Sequence, residues 1–280
     1  MGELDDQISK QFVSASVGIY DKSGRIFERA QWVIRERPIT LYLNGKEIVT
    51  LLCAGHNLDE LAAGFFFAEG FLRSPEDILK IDIDDEIGTV KLLAREDSSV
   101  AERLWQKRTI SSGCAKGSLF YFSLDALLSK PVRSDVRFTP DRILDRFEEL
   151  YQLSETYRHT HGVHNTALAD SDKVIVFRDD IGRHNAVDMI VGHVFMNGIP
   201  LSDKMLLTTG RLTSEMLIKA AKVNIPVVVS RNTATSLAVE LAVSLGVTLI
   251  GFVRGGKFTV YSGQERIDAG LPGQCCDQFS

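Results

Sequence analysis

The chain has 280 residues, 44% hydrophobic and 25% charged, with a formal net charge of −5. This composition suits a soluble globular protein with one large core or two domains. It excludes a surface built as a whole to hold nucleic acid, while a local anion pocket stays compatible with it.

The acidic start, Met1 to Asp6, has no apolar signal core. The most apolar helical stretch, Leu61 to Phe67, is too short for a membrane span and is followed by Glu69. The four cysteines are two scattered singles, Cys53 and Cys114, and an adjacent pair, Cys275 and Cys276. That is no disulfide framework and fits a reducing compartment. The expectation is a cytoplasmic protein with no membrane anchor and no nucleic-acid partner.

Residues 11–20 and 25–35, rich in Val, Ile and Phe and split by Asp21-Lys22-Ser23-Gly24, predict a β-hairpin. Ile39–Leu43 and Glu47–Leu52 flank Asn44-Gly45, the strongest hairpin signal in the chain. Asn57 stands as a helix cap, with Glu60 placed to complete a capping box. Leu58, Leu61, Ala62, Phe65 and Phe66 follow as a helical apolar stripe that ends near Gly70. Residues 78–94 predict another strand pair, broken near Asp84-Asp85, and Ser98 to Arg108 a short helix. Thr139-Pro140 starts a helix whose apolar face is Ile143, Leu144, Phe147, Leu150 and Leu153.

From about residue 160 the pattern changes. Short strands at Val174–Phe177, Met205–Thr209, Pro226–Ser230 and Val247–Val253 alternate with helices at Asn185–Phe195, Ser214–Val223 and Ser236–Leu245. Phe258 to Tyr261 adds an edge. This alternation predicts a largely parallel sheet covered on both faces. The division is a β-rich N-terminal part, 1–130, and an α/β part, 131–280, with the boundary within 120–140.

Four strand ends in the α/β half run into polar or glycine-rich loops: Arg178–Asn185, Thr208–Arg211, Ser230–Ser236 and Arg254–Lys257. Ligands of open α/β sheets bind at the carboxyl ends of the strands, where helix N-termini present free N–H groups to anions. The arginines of these loops, with Lys257, point to a phosphate-bearing ligand. Gly251 to Lys257 nearly spells a P-loop. Phe258 replaces the magnesium-binding hydroxyl, however, and a strand follows instead of a helix, so nucleotide hydrolysis is rejected.

His159, His161 and His164 lack the spacing and neighbours of a zinc site, and the zinc-deaminase signature is missing. His164 is assigned a structural or ligand-contacting role. His184, between Arg183 and Asn185, stays open to ligand contact or general acid–base work. Ser111, Ser112 and Ser118 lie outside any nucleophile elbow. Cys114 sits in Ser111-Ser112-Gly113-Cys114-Ala115-Lys116-Gly117-Ser118, a small-residue loop with a lysine two positions on; such a setting can expose a thiol and lower its pKa, and taken alone it is equally the pattern of a surface-loop cysteine with no role. Cys275-Cys276 is open to a redox pair, a sulfur relay or a plain tail.

Several segments together resemble the FdhD family of formate dehydrogenase accessory sulfurtransferases. They are Leu61–Gly70, Ser111–Cys114, Gly162-Val163-His164, Arg178–Asp188, Gly210-Arg211 with Ser214-Glu215, Thr235–Ala238 and Gly251–Tyr261, in order along nearly the whole chain. The resemblance implies a cytidine-deaminase-like α/β/α layered domain without zinc, a smaller β-rich α+β N-terminal domain, and a homodimer. It implies transfer of sulfur from a cysteine desulfurase to molybdenum cofactor destined for the formate dehydrogenase catalytic subunit. Cys114 stands at the position of the persulfide cysteine. Phe252, Val253, Arg254, Gly255, Gly256 and Lys257 match the segment that contacts the bis(molybdopterin guanine dinucleotide) client. Arg183, His184, Gly210 and Arg211 join them as candidate ligand contacts. No resident metal is implied.

This chain departs from the family in one place. Gly117 occupies the second position of a Cys-x-x-Cys found in many members. A local disulfide or relay within that motif is therefore ruled out. A single-cysteine persulfide route, aided by Cys53 or the tail pair, remains, and so does a chaperone that binds the cofactor without transferring sulfur.

Overall fold

The computed structural model describes residues 11–95, 109–110, 117–118 and 131–270. Strands β1 (Phe12–Asp21) and β2 (Gly24–Ile34) pair antiparallel as a two-stranded ribbon. Strands β3 (Arg37–Leu43), β4 (Lys46–Cys53), β5 (Ile78–Asp84) and β6 (Thr89–Ala94) form a second sheet in the order β4-β3-β6-β5. The β3–β4 turn is the expected one: Asn44 and Gly45 both have positive φ, at 48° and 81°, as a type I′ hairpin demands. The period-two pattern sends Ile39, Leu41, Leu43, Leu51, Val90 and Leu92 to one face, where helix α1 (Leu58–Ala68) covers them.

The start of α1 corrects one expectation. Asn57 occupies the cap position with a left-handed φ of 48°, and its side chain caps nothing. Glu60 turns inward instead, to partners far along the chain.

The C-terminal part carries helices α2 (Pro140–Leu153) and α3 (Glu155–Thr160), then a six-stranded sheet. Its strands are β9 (His164–Ala169), β10 (Val174–Asp180), β11 (Met205–Thr208), β12 (Val227–Ser230), β13 (Thr248–Arg254) and β14 (Lys257–Ser262), in the order β10-β9-β11-β12-β13-β14. Helices α4 (Arg183–Asn197), α5 (Ser214–Lys222) and α6 (Ser236–Leu245) lie between strands. They pack on one face of the sheet through Ile190, Val191, Met216, Leu217 and Leu241 against Leu168, Leu206, Val228 and Leu249. Helix α2 covers the other face with Ile143, Phe147 and Leu150 against Ala167, Met205, Leu207, Val229 and Ile250. Thr139 caps α2 through its hydroxyl, as its sequence signal predicts, while Leu153 at the far end is exposed.

The sheet is mixed rather than largely parallel. Only β11–β12 and β12–β13 are parallel; β10–β9, β9–β11 and β13–β14 are antiparallel. The difference comes from β9. Its sequence, His-Asn-Thr-Ala-Leu-Ala, has a polar start and a single β-branched residue, so it carries little strand signal of its own. Pairing on both sides makes it a strand.

Helix α4 joins the two halves. Its Val187, Ile190, Val191 and Val194 belong to the six-stranded core, while Met189 and Phe195 pack with α1. Among the described residues no helix is long and apolar enough to cross a membrane.

Candidate functional site

The carboxyl ends of β11, β12 and β13 and the start of β9 share one edge of the sheet. Thr208 pairs with Thr166 on one side and Ser230 on the other. The loops beyond these ends are joined by hydrogen bonds. Thr209 N–H donates to Asn165 O at 2.9 Å, and Asn165 N–H donates to Thr209 Oγ1 at 3.0 Å. Gly210 N–H donates to Thr208 Oγ1 at 3.1 Å, while Ser230 Oγ donates to Gly210 O at 2.5 Å. Asn232 Nδ2 donates to Thr209 O at 2.8 Å, and Phe252 N–H donates to Asn232 O at 3.2 Å. Such mutual bonding fixes a rim that would otherwise be four independent loops.

Arg183, the first residue of α4, lies on this rim. A Cβ at Gly210 would stand 3.0 Å from Arg183 Cβ and 3.2 Å from its Cδ, so the glycine makes room for the arginine stem. Nε and Nη2 of Arg183 are buried and have no protein partner. Buried guanidinium groups are normally paired, so an unfilled donor edge here suits an anionic ligand. His164 Nδ1 is 3.5 Å from Thr209 Oγ1. Burial, then the charge of Arg183, push the His164 pKa below its ordinary value, which leaves a neutral ring at pH 7. His184 points away along α4 to Glu215 Oε2 on α5, with Nε2 at 3.2 Å. Arg211 is exposed.

The β13–β14 turn extends the rim. Gly255 and Gly256 have φ of 60° and 71°, a second turn with both central residues left-handed. The turn sets Arg254 directly opposite Lys257. The Arg254 guanidinium lies 5.5 Å from the centre of the Phe252 ring. Beside the turn, Val253 and Gly255 line a cleft of about 520 Å³ whose far wall is α2. Arg231 crosses its mouth, 5.3 Å above the Tyr151 ring, and donates to the Tyr151 hydroxyl at 3.0 Å.

The structure thus brings Arg183 against Gly210, with His164 beside Thr209 on the same rim and Phe252, Arg254 and Lys257 on the adjoining turn. His184 sits apart, on the α4–α5 contact. The sequence reading missed Tyr151; its place one helical turn after Phe147, with the rings 5.7 Å apart, was the available signal. Cys114 lies outside the described residues. Its flanks are described: β7 (Thr109–Ile110) and β8 (Gly117–Ser118) pair antiparallel, Thr109 opposite Ser118. The helix expected over Ser98 to Arg108, and Cys275 and Cys276, also lie outside. Cys53 is buried in the N-terminal core.

Fold and site together define a mixed α/β protein with a cationic, glycine-turned rim where its parallel strands end. The family model described as FdhD/NarQ family matches residues 34–268, and the chain belongs to that family. It is 39% identical over 246 residues to the sulfur carrier protein FdhD of Bacillus subtilis (strain 168), covering 88% of this chain and 94% of the relative. The sulfur carrier protein FdhD of Staphylococcus aureus (strain MRSA252) is 38% identical over 246 residues, covering 88% and 93%. A crystal structure of a formate dehydrogenase accessory protein from Desulfotalea psychrophila superposes with a TM-score of 0.75 at 26% identity, over 92% of this chain and 99% of that one.

Proposed function

We propose that this chain is a cytoplasmic sulfur carrier in formate dehydrogenase maturation. Cys114 takes sulfur from a cysteine desulfurase and delivers it to molybdenum cofactor, in its bis(molybdopterin guanine dinucleotide) form, held on the rim. The layered domain is cytidine-deaminase-like, with the zinc chemistry of that fold given up. In the loading step the Cys114 thiolate attacks the outer sulfur of a desulfurase persulfide. The donor S–S bond breaks, the donor cysteine leaves as a thiolate, and Cys114 holds the new persulfide.

One structural observation carries the binding half of this reading: the buried, unpartnered donor edge of Arg183 against Gly210, on the rim that continues to Arg254 and Lys257. The dinucleotide client supplies phosphates for such an edge. The sulfur half is supported by the sulfur-carrier names of relatives that align over 88% of the chain. A second reading, a chaperone that binds the cofactor without covalent chemistry, is favoured by Gly117 in place of a second loop cysteine.

The test is complementation. In cells lacking their own carrier of this family, the wild-type chain restores formate dehydrogenase activity and Cys114→Ala does not. Restoration by both favours the chaperone; restoration by neither contradicts both readings.

A further inference from the structure

Asp180 ends β10, shortly before Arg183, and is fully buried. Its two oxygens take three donors. Oδ2 accepts from Ala54 N–H at 2.7 Å; Oδ1 accepts from Gly182 N–H and from Asn185 Nδ2, both at 2.8 Å. Asn185 Nδ2 also donates to Leu52 O at 2.8 Å. One carboxylate thus joins the start of α4 to the end of β4 in the N-terminal half.

This charge is held at a cost. Burial raises the Asp180 pKa above its ordinary value, and the bonds from Ala54, Gly182 and Asn185, with the charge of His56, only partly offset it. A neutral amide would be cheaper to bury. Asparagine, however, has a single acceptor oxygen, and its NH2 group would face either the Ala54 N–H or the pair from Gly182 and Asn185. Only a carboxylate supplies both acceptors.

The bond from Gly182 N–H closes a turn through the Asp180 side chain. It sets the entry into α4, whose cap residue, Gly182, has no side chain of its own to do so. The packing there is tight: a Cβ on Gly182 would stand 2.9 Å from Asn185 Nδ2 and 3.4 Å from Asp180 Oδ1. Arg183 comes next, with its stem wedged against Gly210. Where α4 starts therefore decides where the unpartnered Nε and Nη2 edge of Arg183 stands. Asp180, walled in by its own donors, acts on a ligand only through that edge.

We infer that Asp180 is the positioning residue of the anion site: it fixes the Arg183 donor edge on the rim and ties that edge to the end of β4. The inference rests on the reading of Arg183 as an anion-binding residue.

The experiment is a double-mutant cycle on GDP affinity, measured by calorimetry on the full chain. Arg183→Gln is expected to weaken GDP about thirtyfold and Asp180→Asn about tenfold, the range of charge-assisted hydrogen bonds. The double variant is expected to match Arg183→Gln alone, because Asp180 then has nothing left to position. A residue that merely holds the fold would multiply the two losses instead. Asp179→Asn breaks a different tie between the halves, the one to His56, and leaves GDP affinity at the wild-type value. Wild-type affinity in Arg183→Gln removes the anion-site reading and this inference with it. Loss there with none in Asp180→Asn overturns this inference alone, as do multiplied losses in the double variant. A loss in Asp179→Asn equal to that in Asp180→Asn also overturns it, by assigning the effect to the joint as a whole. Should Asp180→Asn not fold, Asn185→Ala, which removes both Asn185 ties, takes its place in the cycle with the same readings.

Discussion

Gly64 of α1 and Gly192 of α4 meet backbone to backbone. A Cβ on Gly64 would fall 1.8 Å from Asp188 O and 2.7 Å from Gly192 N; one on Gly192 would fall 1.9 Å from Glu60 O and 2.8 Å from Gly64 N. Neither helix can hold any other residue at the crossing without moving. The N-terminal sheet is therefore docked on the half that carries the six-stranded sheet through a contact of two glycines. Gly64→Ala should destabilise the fold by about 3 kcal/mol, because backbone and not a flexible side chain must shift. Urea unfolding checks this; a loss under 1 kcal/mol would mean that the helices slide apart freely.

Glu60 bridges the same junction. Its carboxylate accepts from Arg178 Nε at 2.5 Å and Nη2 at 2.6 Å and lies 2.8 Å from His193 Nδ1. Burial would raise its pKa, but the hydrogen bonds from Arg178 and His193 outweigh it, and the net shift is downward. The stability this gives is present at neutral pH and is lost as pH falls through the folded-state value. Glu60→Gln should cost about 3 kcal/mol at pH 7, with the gap to wild type narrowing in acid. Denaturation at pH 7 and at pH 4 measures both numbers; a gap that stays constant contradicts the assignment.

Lys222 also has its pKa lowered, but here folding favours the neutral form rather than the charged one. Burial pushes its pKa from 10.5 down to about 8, with the charge of Glu69 partly offsetting, and its Nζ donates to Ala68 O. Between those two values the unfolded chain holds a proton that the folded chain does not, so this group makes stability rise with pH across that window. Lys222→Met should remove the rise. A wild-type slope retained in the variant would show that another group is responsible.

On the rim, Arg254→Ala and Lys257→Ala should each weaken GDP, as a fragment of the cofactor, about tenfold, the scale of one charge-assisted hydrogen bond. Calorimetry reads the effect directly. Unchanged affinity in both variants would remove the turn from the binding site.

Local chemistry made much of this fold legible. Asn44-Gly45, Thr139-Pro140 and the Ser236–Leu245 helix follow from turn, cap and period rules alone. Long-range partners decided what sequence could not show. Glu60 has the spacing of a capping residue, yet Arg178, 118 positions away, takes its carboxylate. Helix α4 is buried on two sides, so its apolar residues mark no single face. Strand β9 owes its identity to neighbours on both sides. Of the rim, the cations were visible because charged residues at strand ends stand out. The hydroxyl and amide links among Thr208, Thr209, Ser230 and Asn232 were not, since those residue types are ordinary in loops.

The most direct test of sulfur carriage is the intact mass of the protein after incubation with a cysteine desulfurase and cysteine, beside Cys114→Ala. The account predicts one added sulfur atom, removed by reductant, in the wild type alone. No gain in either protein, with the desulfurase shown to be active, would contradict sulfur carriage. An equal gain in both would contradict the role of Cys114 and move the sulfur to Cys53, Cys275 or Cys276.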